Sequence, residues 1–393
     1  MIIFGIRAHY SAIGGVENSI RNLLKVVSER DCPALMVCRE PIANEVLDEA
    51  SMKLPSGVEL VTYNDEYFTH LARRLLFLHR GGESLTQIYS DLFSRHPSAC
   101  IVVRHHMHVL AARSAGFRDI HYLVPSLTVN QLREELRDGG IMDRFKVAVH
   151  MWIDGWLQSR AFRYAKLFVF SLSMQQQVKN KLPKNLKNKH ITKVSPGIDL
   201  SRFKPASPAQ QLHLRQRLNL PMSDKLLLFV GRFVHAKGLH FLLDAMAMMP
   251  KDFILILVGE GACKPSMQAK IKSLGLESRV SFVGASYRPE DYYRACDGFV
   301  MSSTYEPLGQ TILEAAACGM QLSAFSKMAG VDTATQELGL CNIIHYANEL
   351  TAKSLKQAMV KSLSTSSQCA YDSKKGSFAK IYGWGNLLER LIE

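Results

Sequence analysis

Arg232 and Lys237 occupy one short stretch between the apolar run Leu226–Val230 and the amphipathic run Leu239–Met248, with Gly231 and Gly238 beside them. Further on, Glu306 and Glu314 stand eight residues apart around Pro307-Leu308-Gly309-Gln310. Two cations in one loop, joined by the backbone amides of Leu308, Gly309 and Gln310 at the positive end of a helix, form a cradle for a diphosphate. A carboxylate beside a phosphate site accepts hydrogen bonds from sugar hydroxyls. Glu306 falls in the loop and Glu314 slightly more than two helical turns beyond it.

The surrounding elements must hold these residues together. Strand-like runs at Leu226–Val230, Phe253–Val258, Val280–Val283 and Gly298–Met301 alternate with helix-like runs at Leu239–Met248, Lys264–Leu274, Glu290–Cys296 and Thr311–Ala317. That rhythm predicts a doubly wound parallel α/β sheet, with its ligand beyond the carboxyl ends of the strands. The glycines of Gly259-Glu260-Gly261 and the charged residues above all fall at those ends.

Gly231-Arg232, Lys237-Gly238, Gly259-Glu260-Gly261, Glu306 and Glu314, in this order, resemble the donor half of retaining glycosyltransferases of family 4. Ser195-Pro196-Gly197-Ile198-Asp199 with Arg202-Phe203 is also similar to a signature of that family. The resemblance implies the GT-B architecture: two doubly wound Rossmann-like domains facing across a cleft, with a C-terminal helix crossing back to the first. The expected boundaries are 1–195 for an acceptor domain, 196–372 for a donor domain and 373–393 for the crossover helix. It further implies a nucleoside-diphosphate-sugar donor, retention of anomeric configuration and no obligatory metal. Arg232 and Lys237 would meet the charge of the leaving diphosphate, Glu306 would orient the transferred sugar, and Glu314 would hold the ribose hydroxyls. Gly231, Gly259, Leu308, Gly309 and Gln310 would line the donor.

In the first half, Met1–Ile6, the glycine loop around Gly14 and Gly15, and the run Val16–Val27 read as strand, loop and helix. In the family this loop lies near the donor phosphates or the acceptor. Strand-like runs follow at Ala34–Val37, Val58–Tyr63, Ala99–Val103, Ile120–Val124 and Leu167–Phe170. Arg104-His105-His106-Met107-His108 lands at a carboxyl end, so His105 or His106 is a candidate to contact donor or acceptor, against simple packing. A zinc site is not expected, because adjacent histidines of an extended chain diverge and no acidic or cysteine cluster completes the shell. Many family members carry a cleft histidine after the next strand, where this chain has Val124-Pro125-Ser126. That departure leaves open which histidine, if any, serves the reaction. Gln321-Leu322-Ser323-Ala324 lacks the family's proline, and Lys327–Asp332 matches its donor loop only loosely, so sugar selectivity is expected to be unusual.

Composition sets the remaining bounds. The chain has 393 residues, 47% of them hydrophobic, which is enough for two cores. Forty-eight Lys and Arg against thirty-five Asp and Glu give a net charge of +13 and favour an anionic partner. Eight cysteines without a C-x-x-C pair read as reduced thiols. No basic leader precedes the first strand and no apolar run approaches the ~20 residues of a spanning helix, so a cytoplasmic enzyme is expected. The basic amphipathic stretch Arg73–Arg80 fits either an anionic membrane surface or a solvated helix face. Six lysines without an acidic residue from Lys179 to Lys193 read as the edge of the first domain and its linker, and the absence of interleaved aromatics there speaks against nucleic acid. Toward the end, Asn342–Ile344 reads as a strand, Leu350–Leu363 and Phe378–Ile392 as helices, and Ser366–Ser377 as a polar flexible link. The family habit adds a glycan or lipid-linked acceptor in lipopolysaccharide, capsule or other envelope polysaccharide synthesis, at the inner face of the membrane. A nucleotide-sugar 2-epimerase and a non-catalytic nucleotide-sugar-binding partner subunit are the alternatives.

Overall fold

Strands buried on both faces are mainly apolar, and this chain folds two sets of such strands into separate parallel sheets. The computed structural model describes residues 1–12, 14–41, 53–64, 83–127, 141–340, 342–364 and 381–393. The chain divides into two units, one of Met1–Gly197 with Trp384–Glu393 and one of Ile198–Gly383. These boundaries stand two and eleven residues beyond the expected 195 and 372.

Unit 1 is built on β1 (Ile2–Gly5), β2 (Ala34–Arg39), β3 (Val58–Tyr63), β4 (Cys100–Val103), β5 (Ile120–Leu123), β6 (Lys166–Val169) and β7 (Ile191–Lys193). Their order in the sheet is β3-β2-β1-β4-β5-β6-β7, every pair parallel. The winding reverses between β1 and β4, which puts the ligand-binding switch point at the carboxyl ends of those two strands. The helices are α1 (Gly15–Glu29), α2 (Glu83–Arg95), α3 (His106–Ala115), α4 (Ile141–Ala161) and α5 (Leu172–Lys181). The run expected to be domain edge and linker instead holds the end of α5, a 3-10 turn at Lys184–Leu186 and the edge strand β7. A three-residue strand with a single neighbour has too little apolar sequence to announce itself.

Unit 2 contains β8 (Lys225–Val230), β9 (Phe253–Val258), β10 (Val280–Gly284), β11 (Gly298–Met301), β12 (Tyr305–Glu306), β13 (Gln321–Phe325), β14 (Asp332–Thr333) and β15 (Ile344–Ala347). Six of these form a parallel sheet in the order β10-β9-β8-β11-β13-β15, while β12 and β14 pair separately. Along β8, Leu226 and Leu228 enter one core and Leu227 and Phe229 the other, as the period-two alternation of a strand requires. The strand expected at Asn342–Ile344 begins only at Ile344, because pairing with Leu322–Phe325 sets its length. The helices are α6 (Pro208–Arg217), α7 (Leu239–Ala247), α8 (Lys264–Ser273), α9 (Pro289–Ala295), α10 (Gln310–Ala317) and α11 (Ala352–Ser364).

The last helix, α12 (Trp384–Ile392), returns to unit 1. It buries Trp384, Leu387, Leu388 and Leu391, pairs Glu389 with Arg30 at 2.7 Å, and offers the Leu391 carbonyl to His121 Nδ1. A Cβ on Gly197 would overlap the Trp384 indole, so only glycine allows that close approach. The basic stretch Arg73–Arg80 and the link Ser366–Ser377 lie outside the described residues, as do Cys341 and Cys369. Among the described residues the six cysteines form no disulfide with one another. Among the described residues no helix is long and apolar enough to cross a membrane.

Candidate active site

The winding of unit 2 reverses between β8 and β11, and the loops leaving those two strands carry most of the residues singled out in the sequence. After β8 the chain turns through Gly231 and Arg232 into a 3-10 turn, His235–Lys237, and then into α7. Gly238 stands between turn and helix with left-handed φ and ψ of 59° and 28°. A Cβ there would strike the Ser302 carbonyl after β11, and a Cβ on Gly259 would strike the Gly231 carbonyl. Backbone therefore packs on backbone. Ser302 Oγ donates to the Lys237 carbonyl at 2.7 Å and the Thr304 amide to that of Ala236 at 2.8 Å, fixing the loop after β8 to the loop after β11.

Across this junction the Lys237 ammonium pairs with Glu306 Oε2. The two side chains are 17% and 11% exposed, so water screens the pair poorly. The other Glu306 oxygen accepts the amide of Gly309, the N-cap residue of α10, at 3.3 Å. Leu308 and Gln310 flank this cap, with Gly309 left-handed at φ 74°. Arg232 is exposed, and among the described residues its guanidinium has neither a hydrogen bond nor an ion pair. The structure thus joins Lys237, Glu306 and Gly309 directly, and leaves Arg232 at the same strand end as an uncommitted cation.

Glu314 lies one helix face deeper. It is 6% exposed, and Tyr293 Oη donates to its Oε2 at 2.9 Å. Burial raises its pKa to about 7, against the opposing pull of the Tyr293 and Gln310 hydrogen bonds and of the Arg202 charge. Arg202 in turn holds Glu290 at 2.7 Å. Tyr293 and Glu290 were not read from the sequence as site residues, since both lie within an ordinary amphipathic run. A surface groove of about 350 Å³ between α6 and α9, lined by His213, Arg217, Arg288, Asp291 and Arg294 among others, is lined by none of these strand-end residues.

In unit 1, Gly14 is the N-cap of α1 and Gly15 its first residue, at the carboxyl end of β1. Next to it, at the end of β4, Arg104 is 3% exposed and donates to Ser19 Oγ at 2.7 Å. Burial draws its pKa down to about 10, and the Glu17 carboxylate pushes it back up. A buried guanidinium at the switch point is a functional candidate that the sequence reading passed over for the histidines beside it. His105 caps α3, accepting the Met107 amide on Nδ1 at 3.3 Å, and its ring lies 4.2 Å from that of His106, centroid to centroid. The two rings therefore converge where an extended chain would separate them, because His106 already belongs to the helix. His108 is a core residue held between Tyr63 and Tyr89 Oη at 3.2 and 2.9 Å, and burial draws its pKa down to about 3.

Val124-Pro125-Ser126 follows β5, and Ser126 Oγ is buried without a partner among the described residues. His121 faces away from that loop, bonding Asp119 at 2.8 Å and α12. Cys100, Asp119 and His121 have ligand-type atoms within 4.8 Å of one another, a cluster the sequence does not announce. Lys166 already pairs with Asp119 at 3.1 Å, and burial pushes the Cys100 thiol up to about 12.

Comparison with known proteins is consistent with this arrangement. Residues 210–367 match the family described as Glycosyl transferases group 1. Mannosylfructose-phosphate synthase of Agrobacterium fabrum is 38% identical over 147 residues, 34% of this chain and 32% of that protein. The lipopolysaccharide core biosynthesis glycosyltransferase LpsE of Rhizobium meliloti is 37% identical over 105 residues, 27% of this chain and 31% of its own length. The chain spans about a third of the length of these curated relatives. HepE of Anabaena, solved with UDP and glucose, superposes with a TM-score of 0.73 at 18% identity, over 99% of this chain and 97% of HepE. Residues 210–367 are thus similar to the glycosyl transferases group 1 family, and the two Rossmann-like units carry the GT-B fold.

Proposed function

We propose that the protein is a retaining glycosyltransferase of family 4 that moves a sugar from a nucleoside-diphosphate donor to a glycan or lipid-linked acceptor in envelope polysaccharide synthesis. The observation that carries this reading is Arg232, a cation at the end of β8 with no side-chain bond among the described residues, beside the Lys237–Glu306 pair and the start of α10. Cleavage of the sugar–phosphate bond releases negative charge on the diphosphate, and fixed cations aimed at that charge lower the barrier most. Arg232 and Lys237 serve that role in place of a divalent metal, with Gly231, Gly259, Leu308, Gly309 and Gln310 lining the donor. Glu306 orients the sugar, and Glu314 accepts hydrogen bonds from the ribose.

In unit 1, Gly14 and Gly15 lie by the donor phosphates or the acceptor in this reading, and His105 or His106 contacts donor or acceptor. LpsE is named for lipopolysaccharide core synthesis and HepE was solved with UDP and glucose, which favours an envelope acceptor and makes UDP the first carrier to try. The working location is the cytoplasm or the inner face of the membrane, with no nucleic acid involved.

Thermal shifts with UDP, GDP, ADP and CMP, in chelator, test the donor site on the native chain and on Arg232→Ala. A ligand at a hundred times its dissociation constant stabilises the fold by about 2.7 kcal/mol. A shift with one nucleoside diphosphate, lost in the variant, is expected. No shift with any of them overturns the reading in favour of a degenerate scaffold, and release of free sugar without acceptor favours an epimerase.

A further inference from the structure

Trp152 and Trp156 lie one turn apart on α4 and are 71% and 45% exposed, while Ile153 and Leu157 between and beside them sit in the core of unit 1. Another turn on, the Arg160 guanidinium lies over the Trp156 ring, 5.6 Å from its centroid. The chain then runs from Gly155 to Ile198 with nine Lys and Arg and not one Asp or Glu. Hydrogen bonds hold two of those lysines at the ends of α4 and α5. Lys189 Nζ donates to the Phe162 and Arg163 carbonyls at the end of α4, and Lys187 Nζ to the Lys179 and Asn180 carbonyls at the end of α5. Two exposed indoles thus continue into a basic surface.

We propose that the Trp152–Trp156–Arg160 face of α4, with the basic loop beyond it, docks on an anionic lipid bilayer. The proposal rests on the lipid-linked acceptor reading above and gives it a surface. Indoles settle at the boundary between headgroups and acyl chains, where the ring loses water and the N–H keeps a polar neighbour. Cations next to them gain from the negative headgroups. A single-stranded nucleic acid stacks its bases on aromatics interleaved with the cations, and Lys179–Lys193 contains no Phe, Tyr or Trp. Charge complementarity therefore favours the lipid surface.

The chain has three tryptophans, and Trp384 is only 8% exposed, so tryptophan emission reports this face directly. The full chain would be mixed with vesicles of phosphatidylethanolamine and phosphatidylglycerol, with phosphatidylcholine vesicles as the neutral arm. A blue shift and quenching by bromine-labelled acyl chains are expected on anionic vesicles, weakening as salt is added. W152S/W156S is expected to lose both signals and to bind at least about tenfold more weakly, and Arg160→Ser about fivefold more weakly, with the nucleotide thermal shift of unit 2 unchanged. If the native chain sediments with anionic vesicles while its emission stays fixed and the double variant binds equally, this face falls and membrane association survives elsewhere. If it sediments with none, both readings fall. A shift produced by a homopolymeric RNA, or by protein concentration alone, and not by vesicles, overturns the proposal in favour of a nucleic-acid or self-association surface.

Discussion

Lys237 and Glu306, sixty-nine residues apart, form one ion pair that ties the loop after β8 to the start of α10. Removing either partner leaves a poorly hydrated charge without its counterpart, whereas removing both does not. Lys237→Ala is expected to destabilise unit 2 by about 3 kcal/mol. The double variant Lys237→Met with Glu306→Gln recovers most of that loss without recovering nucleotide binding. Chemical denaturation beside nucleotide titration separates the two effects, and equal stability of single and double variants would contradict the coupling.

Arg232 behaves oppositely, because it is exposed and its side chain holds no partner among the described residues. Arg232→Ala is expected to change stability by less than about 0.5 kcal/mol. It is expected to lower the transfer rate about a hundred- to a thousandfold, as loss of one fixed electrostatic group does. Measuring kcat and the urea midpoint on the same preparation checks both halves.

Glu314 links stability and binding through pH. Its folded pKa of about 7 stands above the ordinary 4.5, so the folded state holds the proton that the unfolded chain has released. Stability is therefore greatest below pH 4.5 and falls as pH rises to about 7, by roughly 3 kcal/mol over the window. Ribose hydroxyls are bound by the ionised carboxylate, so nucleotide affinity is expected to rise across that same window. Glu314→Gln should flatten both slopes, and a native affinity independent of pH from 5 to about 8 would remove the carboxylate from the ribose site.

Gly238→Ala tests the backbone contact beneath the pair. The left-handed φ and the Ser302 carbonyl both oppose a methyl group there, at a cost of about 2 kcal/mol or more. Lys237 is the neighbouring residue, so nucleotide affinity is expected to fall with stability, whereas a stable variant with normal affinity would show that the loops can separate freely.

The donor half was legible because its chemistry is local. Gly231, Arg232, Lys237 and Gly238 lie in a single loop between a strand and a helix whose periods are plain in the sequence, and Glu306, Gly309 and Glu314 follow one helix start. What escaped depends on distance along the chain. Arg202 meets Glu290 across eighty-eight residues, and Glu314 meets Tyr293 across twenty-one, so neither contact leaves a local pattern. Arg104 is not legible in the sequence because a buried guanidinium and a solvated one look alike there. Helix α4 hides its exposed tryptophans for a related reason: aromatic residues at helical spacing normally mark the buried face.

Trp384 against Gly197 has a consequence for how the chain is made. The core of unit 1 is closed by α12, which comes after all of unit 2, so the first 197 residues emerge from the ribosome without the helix that covers them. Unit 2 can complete its own sheet while unit 1 still waits. A nascent chain halted before Trp384 should therefore expose the α12 docking strip on α1 and β5 to chaperones, and a synthetic peptide of residues 384–393 supplied in trans should close it.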